Sequence, residues 1–138
     1  MILQHVTLNT SNVKDSIQFY KDVFGFVETS RPDFPFEGAW LWIEPHKTML
    51  HLQNCWGDYG GLIGVNPVDH IALDARREGE DTVEEYDRWS VFLIDPKLKK
   101  KWNHEVQFHS FDPKEFLQIF ITDPLNDVRW ELNFPVTK

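Results

Sequence analysis

His5-Val6-Thr7-Leu8 and His70-Ile71-Ala72-Leu73 are two short, largely apolar stretches that each begin with a histidine. The two histidines are 65 residues apart (70 minus 5), which is close to half of the 138-residue chain. This spacing predicts a duplicated module with one histidine at the start of each copy. Around both histidines the residues alternate between two faces, and a period of two is typical of a strand.

Each predicted copy also closes with a strand that carries a side chain able to bind a metal ion. That side chain is His51 in the first copy and Glu131 in the second. In all four strands the candidate lies on the more polar face, and the apolar face is expected to pack against helices. Imidazole and carboxylate groups are good ligands for Fe, Ni, Zn, Mn and Co. His5, His51, His70 and Glu131 are therefore the candidate ligands of one divalent metal ion.

The rest of the pattern predicts β-α-β-β-β in each half of the chain. A helix is expected to begin at Ser11 or Asn12 and to end at Gly25, and a second helix is expected from Glu78 to Trp89. The Lys97–Lys101 run is read as a solvated loop or helix face. The predicted strands are 2–9, 26–30, 39–44, 48–54, 68–74, 105–109, 116–122 and 128–134.

These elements predict an α+β fold in a single domain, residues 1–138. Module one spans residues 1–56, a Gly-rich link spans 57–66, and module two spans 67–138. The formal charge of −8 argues against nucleic acid and anionic membranes as partners. Cys55 is the only cysteine, so an intrachain disulfide is excluded. Without a signal peptide or a long apolar run, a cytoplasmic protein is expected.

Several residues near the four candidate ligands are predicted to contact a small-molecule substrate. Arg129 would favour an anionic substrate, and Trp40 would form an apolar wall, although the same aromatic residue fits a place in the core. The other three histidines of the chain are expected at the surface or in loops. The polar residues expected to orient the substrate are Asn9, Gln53, Arg129 and Asn133.

Three segments together resemble the vicinal oxygen chelate superfamily, which includes glyoxalase I, extradiol dioxygenases and the fosfomycin- and bleomycin-resistance proteins. His5-Val6-Thr7-Leu8 followed by Ser16–Phe26 resembles the first strand and helix of that family. Asp69-His70-Ile71-Ala72-Leu73 resembles its fifth strand, and Asp123-Pro124 with Trp130-Glu131-Leu132 resembles its closing hairpin. The stretch from Arg31 to Leu52 is similar to a glyoxalase-like subgroup of the superfamily.

The resemblance implies two βαβββ modules whose strands form a curved mixed sheet around a metal cleft, and it implies a homodimer. Glyoxalase-type relatives use four ligands, whose counterparts are His5, His51, His70 and Glu131. Dioxygenase- and fosfomycin-type relatives use three, which match His5, His70 and Glu131. His51 stands where many bacterial glyoxalases have glutamate.

The implied function is a metal-dependent enzyme that binds two neighbouring oxygens of a small substrate to a divalent metal ion. In a lyase or isomerase of the lactoylglutathione-lyase type, Glu131 would bind the metal and move a proton as the catalytic residue. In an extradiol-type dioxygenase, the three-ligand set would hold Fe(II). The alternatives are a metal-free drug-binding protein of the bleomycin-resistance type and a domain that keeps a metal ion only for structure.

Overall fold

A computed structural model of the chain describes residues 3–54, 70–110 and 116–136. The chain divides into two compact units, Met1–Val65 and Asn66–Lys138. Each unit contains one four-stranded mixed sheet and follows the predicted β-α-β-β-β order, with an additional helix in the second unit. The α+β class and the two βαβββ modules are thus confirmed. The predicted link at 57–66 lies outside the described residues.

In the first unit the two ends of the module pair with each other. Strand β1 runs parallel to β4, while β3 is antiparallel to both β4 and β2, giving the order β1-β4-β3-β2. The observed strands agree with the predicted ones to within three residues at each described end. The elements are β1 (His5–Asn9), α1 (Val13–Phe24), β2 (Val27–Thr29), β3 (Gly38–Glu44) and β4 (Thr48–Gln53).

Helix α1 begins and ends where the sequence predicts. The side chain of Asn12 accepts a hydrogen bond from the backbone N–H of Asp15 at 3.0 Å, which satisfies one of the free donors of the first turn. Gly25 ends the helix with a φ of 70°, a left-handed conformation that glycine adopts without steric cost. The helix packs against β3 and β4 and buries Val13, Phe19, Tyr20, Val23 and Phe24.

The second unit repeats this topology. Strand β5 runs parallel to β8, and β7 is antiparallel to β8 and β6, giving the order β5-β8-β7-β6. Helix α2 packs against β7 and β8. The elements are β5 (Ile71–Asp74), α2 (Thr82–Leu93), α3 (Pro96–Trp102), β6 (Glu105–Ser110), β7 (Phe116–Asp123) and β8 (Val128–Pro135).

Helix α2 lies about one turn further along the chain than predicted, because the cap is Asp81. Its carboxylate accepts hydrogen bonds from the backbone N–H groups of Val83 and Glu84, both at 3.0 Å. The Lys97–Lys101 run is a helix face rather than a loop. Asp95 caps that helix, and Pro96 occupies its first turn, where its missing N–H costs nothing.

The two faces of each sheet differ as predicted. In the first unit Leu41, Leu50 and Leu52 are fully or almost fully buried on the helix-facing side. In the second unit Ile119, Trp130 and further apolar residues of β7 and β8 do the same. The opposite face carries the candidate ligands, so burial of one face fixes which residues the other face presents.

Candidate functional site

The first unit brings His5 and His51 together on one face of its sheet. His51 on β4 lies opposite Thr7 on β1, and His5 precedes Thr7 by two residues, so both histidines point to the same side. Their rings stack with centroids 4.2 Å apart. Trp40, opposite His51 on β3, stacks on the other face of His51 with centroids 4.4 Å apart. We call His5 and His51 the first donor pair.

Burial favours the uncharged form of the His51 imidazole, which is the form that binds metal ions. Its Nε2 atom is buried and has no hydrogen-bond partner among the described residues. Burial, the nearby His5 ring and the charge of Arg31 all lower the pKa of His51, and burial has the largest effect. A buried polar atom without a partner is costly in a folded protein, so it marks a place where a ligand would add a favourable contact.

The second unit brings His70 and Glu131 together in the same way. Glu131 on β8 lies opposite Ala72 on β5, and His70 precedes Ala72 by two residues. The His70 Nε2 atom is 2.9 Å from the Glu131 Oε2 atom. The side chain of Glu131 is only 8% exposed, whereas that of His70 is 37% exposed, so the carboxylate is the inner member. We call His70 and Glu131 the second donor pair.

Gln118 holds the Glu131 carboxylate from the neighbouring strand. Its Nε2 atom donates to Glu131 Oε1 at 2.6 Å and to Asn133 Oδ1 at 3.1 Å. Both carboxylate oxygens of Glu131 therefore have a partner, which a buried carboxylate requires. The arrangement fixes the orientation of Glu131 and leaves lone pairs on both oxygens.

Phe120 is the aromatic neighbour of the second donor pair. It lies opposite Glu131 on β7, and the edge of the His70 ring approaches it with centroids 6.0 Å apart. The Arg129 guanidinium lies over the Phe120 ring, with Cζ 4.2 Å from its centroid. His109 makes a second edge contact at 5.4 Å. A cation over an aromatic face is attracted by the ring quadrupole, so Phe120 positions Arg129 beside the pair.

The two donor pairs occupy equivalent positions in the two sheets. His5 and His70 each lie two residues before the partner of the second donor, and Trp40 and Phe120 each lie opposite that donor. The chain thus repeats a pattern of one histidine, one further donor and one aromatic ring. Within neither unit do the described residues gather three or more His, Cys, Asp or Glu side chains into a metal-binding group.

Two of the predicted substrate residues, Asn9 and Gln53, contact each other, and the other three contact neighbours of the donor pairs. Gln53 donates to Asn9 Oδ1 at 3.1 Å, so these two amides lie together beyond the first donor pair. Asn133 accepts a hydrogen bond from Gln118. Trp40 stacks on His51, and Arg129 lies over the Phe120 ring. Predicted substrate contacts therefore surround both pairs.

The other histidines occupy different environments. His46 lies in a turn and His109 on a strand, and both are exposed, as expected. His104 lies in the connection between α3 and β6, but its side chain is fully buried. Its Nε2 atom is 2.9 Å from the carbonyl oxygen of Leu93, which is also buried. Burial lowers the pKa of His104.

Sequence reasoning missed Gln118, Phe120 and Arg31 as members of the site. Gln118 and Phe120 could have been found from the register of β7 with β8, since residues opposite a candidate ligand share its face. Arg31 lies before β3 in an irregular segment, where no periodicity indicates the direction of a side chain.

The donor chemistry of these residues fits a divalent metal ion. Imidazole and carboxylate groups are common ligands of first-row metals, and each donor pair supplies two such groups. Two ligand atoms at right angles, each about 2.1 Å from a metal ion, are about 3.0 Å apart. The distance of 2.9 Å between His70 Nε2 and Glu131 Oε2 is consistent with that spacing. The unpartnered Nε2 atom of His51 provides a further free donor.

A family model of the Glyoxalase/Bleomycin resistance protein/Dioxygenase superfamily matches residues 2–132. The chain belongs to this superfamily. The fold and the paired βαβββ modules described above are those of its solved members. The predicted resemblance is thereby confirmed at the level of the superfamily.

Two solved structures and one curated relative show how the chain compares with individual members. "Glyoxylase I 4" of Arabidopsis thaliana is 35% identical over an alignment of 82 residues, and the match covers 56% of this chain and 45% of that protein. The chain thus spans less than half the length of this relative. Lactoylglutathione lyase from Agrobacterium tumefaciens has a TM-score of 0.59 at 16% identity, covering 95% of this chain and 91% of that one.

The other solved structure is a variant of the fosfomycin resistance protein FosX from Listeria monocytogenes. It has a TM-score of 0.67 at 17% identity, covering 99% of this chain and 95% of that one. That protein was crystallised with Mn(II) and 1S,2S-dihydroxypropylphosphonic acid.

Among the described residues of the present chain, no helix is long and apolar enough to span a membrane.

Proposed function

We propose that this protein is a metal-dependent enzyme that binds two neighbouring oxygens of a small substrate to a divalent metal ion. The proposed ligands are His5, His51, His70 and Glu131. The observation that carries the proposal is the repeated donor pair, because two equivalent strand positions are both occupied by metal-competent side chains beside an aromatic ring. When bound, Fe, Ni, Zn, Mn or Co would supply Lewis-acid stabilisation of negative charge on substrate oxygens.

Glu131 is the proposed catalytic residue because its carboxylate is buried and oriented. Gln118 fixes one oxygen, and His70 contacts the other. A carboxylate held in this way can take a proton from a substrate carbon and return it to a neighbouring atom, which is the chemistry of an isomerase or lyase of the lactoylglutathione-lyase type. The names of Arabidopsis Glyoxylase I 4 and of the Agrobacterium lyase favour this reaction class over an extradiol-type dioxygenase.

The experiment supplies chelator-treated protein with each of the five metals in turn. Two probe reactions are followed: isomerisation of the methylglyoxal–glutathione hemithioacetal and ring opening of catechol by oxygen. We expect turnover of the first probe with at least one metal and a loss of about 100-fold or more in Glu131→Gln, which cannot carry the proton. His46→Asn, which alters an exposed histidine in a turn of the first unit, is the matched control. Ring opening of catechol alone would assign the dioxygenase reaction instead.

A metal-free binding protein is the second candidate. The stack formed by His5, His51 and Trp40 favours it, because three stacked rings form an aromatic surface without any metal ion. In that case the protein would bind small aromatic molecules equally well before and after chelator treatment, and neither probe reaction would be accelerated.

A homodimer and a cytoplasmic location belong to the same proposal. Light scattering is expected to give about twice the chain mass of 16.4 kDa. A strict monomer at all concentrations would remove the homodimer from the proposal.

A further inference from the structure

A cavity in the first unit lies next to the first donor pair. Its volume is about 250 Å³. Drug-sized ligands generally occupy cavities of about 300–1,000 Å³, so this cavity fits a ligand not much larger than one substituted six-membered ring. Its lining combines one cation with aromatic walls. The residues that line it include Arg31, Phe34, Phe36, Trp40, His51 and Gln53.

Arg31 is a half-buried cation that forms no ion pair with any described carboxylate. Its Nη2 atom donates to the carbonyl oxygen of Phe36 at 2.9 Å, which is one of its five N–H donors. A guanidinium that is partly removed from water is stabilised by a carboxylate at its free edge, and the planar fork matches a carboxylate in two-point contact.

The position of Arg31 is fixed by its surroundings. Its Cζ atom lies 4.9 Å from the ring centroid of Phe34 and 5.1 Å from that of Phe36. A Cβ atom on Gly38 would come within 3.0 Å of Nη2 and 2.4 Å of the Leu52 carbonyl oxygen, so only glycine leaves room for the guanidinium there. The charge is therefore placed before any ligand arrives, which lowers the entropic cost of binding.

The walls of the cavity suit a flat ring. Phe34 and Phe36 stack with centroids 5.4 Å apart and an angle of 9°, and Trp40 stacks on His51 at 6°. Phe34 also approaches Trp40 at 6.3 Å, so the two stacks adjoin. Aromatic rings prefer offset-stacked or edge-to-face neighbours, and both are available to a ligand here.

We propose that this cavity binds a small planar aromatic carboxylate, with its ring among Phe34, Phe36 and Trp40 and its carboxylate on Arg31. A neutral aromatic ligand would leave the half-buried guanidinium without a counter-charge. An aliphatic anion would leave the ring surfaces unused. The inference goes beyond the proposed function by adding a ligand site beside the metal ligands, and it rests on that function only in that His51 belongs to both the cavity and the first donor pair.

The test is calorimetric titration of the full chain with benzoate, before and after metal loading. Benzyl alcohol lacks the charge, and cyclohexanecarboxylate lacks the flat ring. We expect saturable binding of benzoate at one site per chain and binding of benzyl alcohol that is about tenfold or more weaker, as loss of a hydrogen bond to a charged group implies. Cyclohexanecarboxylate should also bind more weakly than benzoate.

Substitution of Arg31 tests whether this one residue causes the preference for a negatively charged ligand. Arg31→Gln should weaken benzoate binding by about tenfold or more and leave benzyl alcohol unchanged. Arg31→Lys keeps the charge but loses the planar fork, so it should fall between the wild type and Arg31→Gln. Arg76→Gln, which removes an exposed arginine from the second unit, is the matched control. Circular dichroism establishes that each variant is folded.

Two results would overturn the inference. One is equal affinity for benzoate and benzyl alcohol in the wild-type chain, a comparison that needs no variant to fold. The other is the absence of benzoate binding in both metal-free and metal-loaded protein. Metal uptake measured on the same samples separates this inference from the proposed function. Benzoate binding without metal uptake would support the cavity and contradict the enzyme, whereas metal uptake without benzoate binding would do the reverse.

Discussion

His51 of β4 and Glu131 of β8 hold the same position in two sheets of equivalent strand order. Each lies opposite an aromatic residue, Trp40 or Phe120, on the antiparallel neighbour. Each also has a histidine two residues before its partner on the parallel strand. The duplication therefore extends from the strand order to the placement of individual side chains, and it predicts that His51, like Glu131, is a metal ligand.

If His51 is a metal ligand like Glu131, its removal should weaken metal binding as much as removal of His70 does. We expect His51→Ala to lower metal affinity by an amount comparable to His70→Ala, because each removes one donor atom. Competition with a chromogenic chelator measures both values, and His46→Asn, at an exposed turn position, is the control. Unchanged affinity in His51→Ala alone would reduce the set to the three ligands His5, His70 and Glu131.

Gln118 should act through Glu131 rather than by touching a metal ion. Gln118→Leu removes the donor to Glu131 Oε1 and frees the carboxylate to rotate. Loss of such an orienting contact typically costs about 10–100-fold in metal affinity or activity. Gln107→Leu on β6 is the matched control, since Gln107 is exposed and its side chain donates a hydrogen bond to Glu105 rather than to Glu131. Equal metal affinities for the two variants would contradict this role.

The buried face below His51 should carry much of the stability of the first unit. Leu50 is fully buried, so Leu50→Ala should lower the free energy of unfolding by about 2–5 kcal/mol. Leu3 is 56% exposed, and Leu3→Ala should change it by about 0.5 kcal/mol or less. Urea unfolding measures both. A similar cost for the two substitutions would mean that the assignment of the faces is wrong.

His104 should make the folded state less stable in mild acid. Burial lowers its pKa below the ordinary value of 6.5, and the unfolded chain keeps that ordinary value. As the pH falls through 6.5, the unfolded chain takes up the proton first, so the free energy of unfolding decreases. The stability that uncharged His104 contributes is fully present above pH 6.5, and it is lost progressively as the pH falls towards the lower pKa of His104 in the folded state.

The measurement for this effect is urea unfolding between pH 7.5 and about pH 5. His104→Gln should flatten the dependence because it removes the titrating group, whereas His109→Gln, which alters an exposed histidine, should leave it unchanged. An equally steep decrease in His104→Gln would assign the pH dependence to another group. His51, whose pKa is also lowered by burial, is the first group to examine in that case.

Local patterns were sufficient to predict the strands, the first helix and the buried faces, but not helix α3 or the start of α2. The alternation around His5 and the helical spacing that ends at Gly25 both follow from neighbours in sequence, and both are observed. The start of α2 at Thr82 was missed although Asp81 is a good cap. The acidic residues before Asp81 also fit a first helical turn, so the sequence favours a start at Glu78 over the observed start at Thr82.

The contacts of the site could not be predicted, because they depend on long-range register. Thr7 and His51 are paired in parallel strands that lie 44 residues apart (51 minus 7), and no local signal sets that pairing. The same is true of Gln118 and Glu131, which meet across β7 and β8. The position of the Arg31 guanidinium could not be predicted either, because it depends on the path of an irregular segment and on the space left by Gly38.

The most direct test of the central claim is the metal content of the untagged chain after dialysis against metal-free buffer. Elemental mass spectrometry should find about one equivalent of Fe, Ni, Zn, Mn or Co per chain, and a clear loss in His70→Ala and Glu131→Gln. No retained metal, together with no uptake when each of the five ions is offered back, would contradict the proposed enzyme.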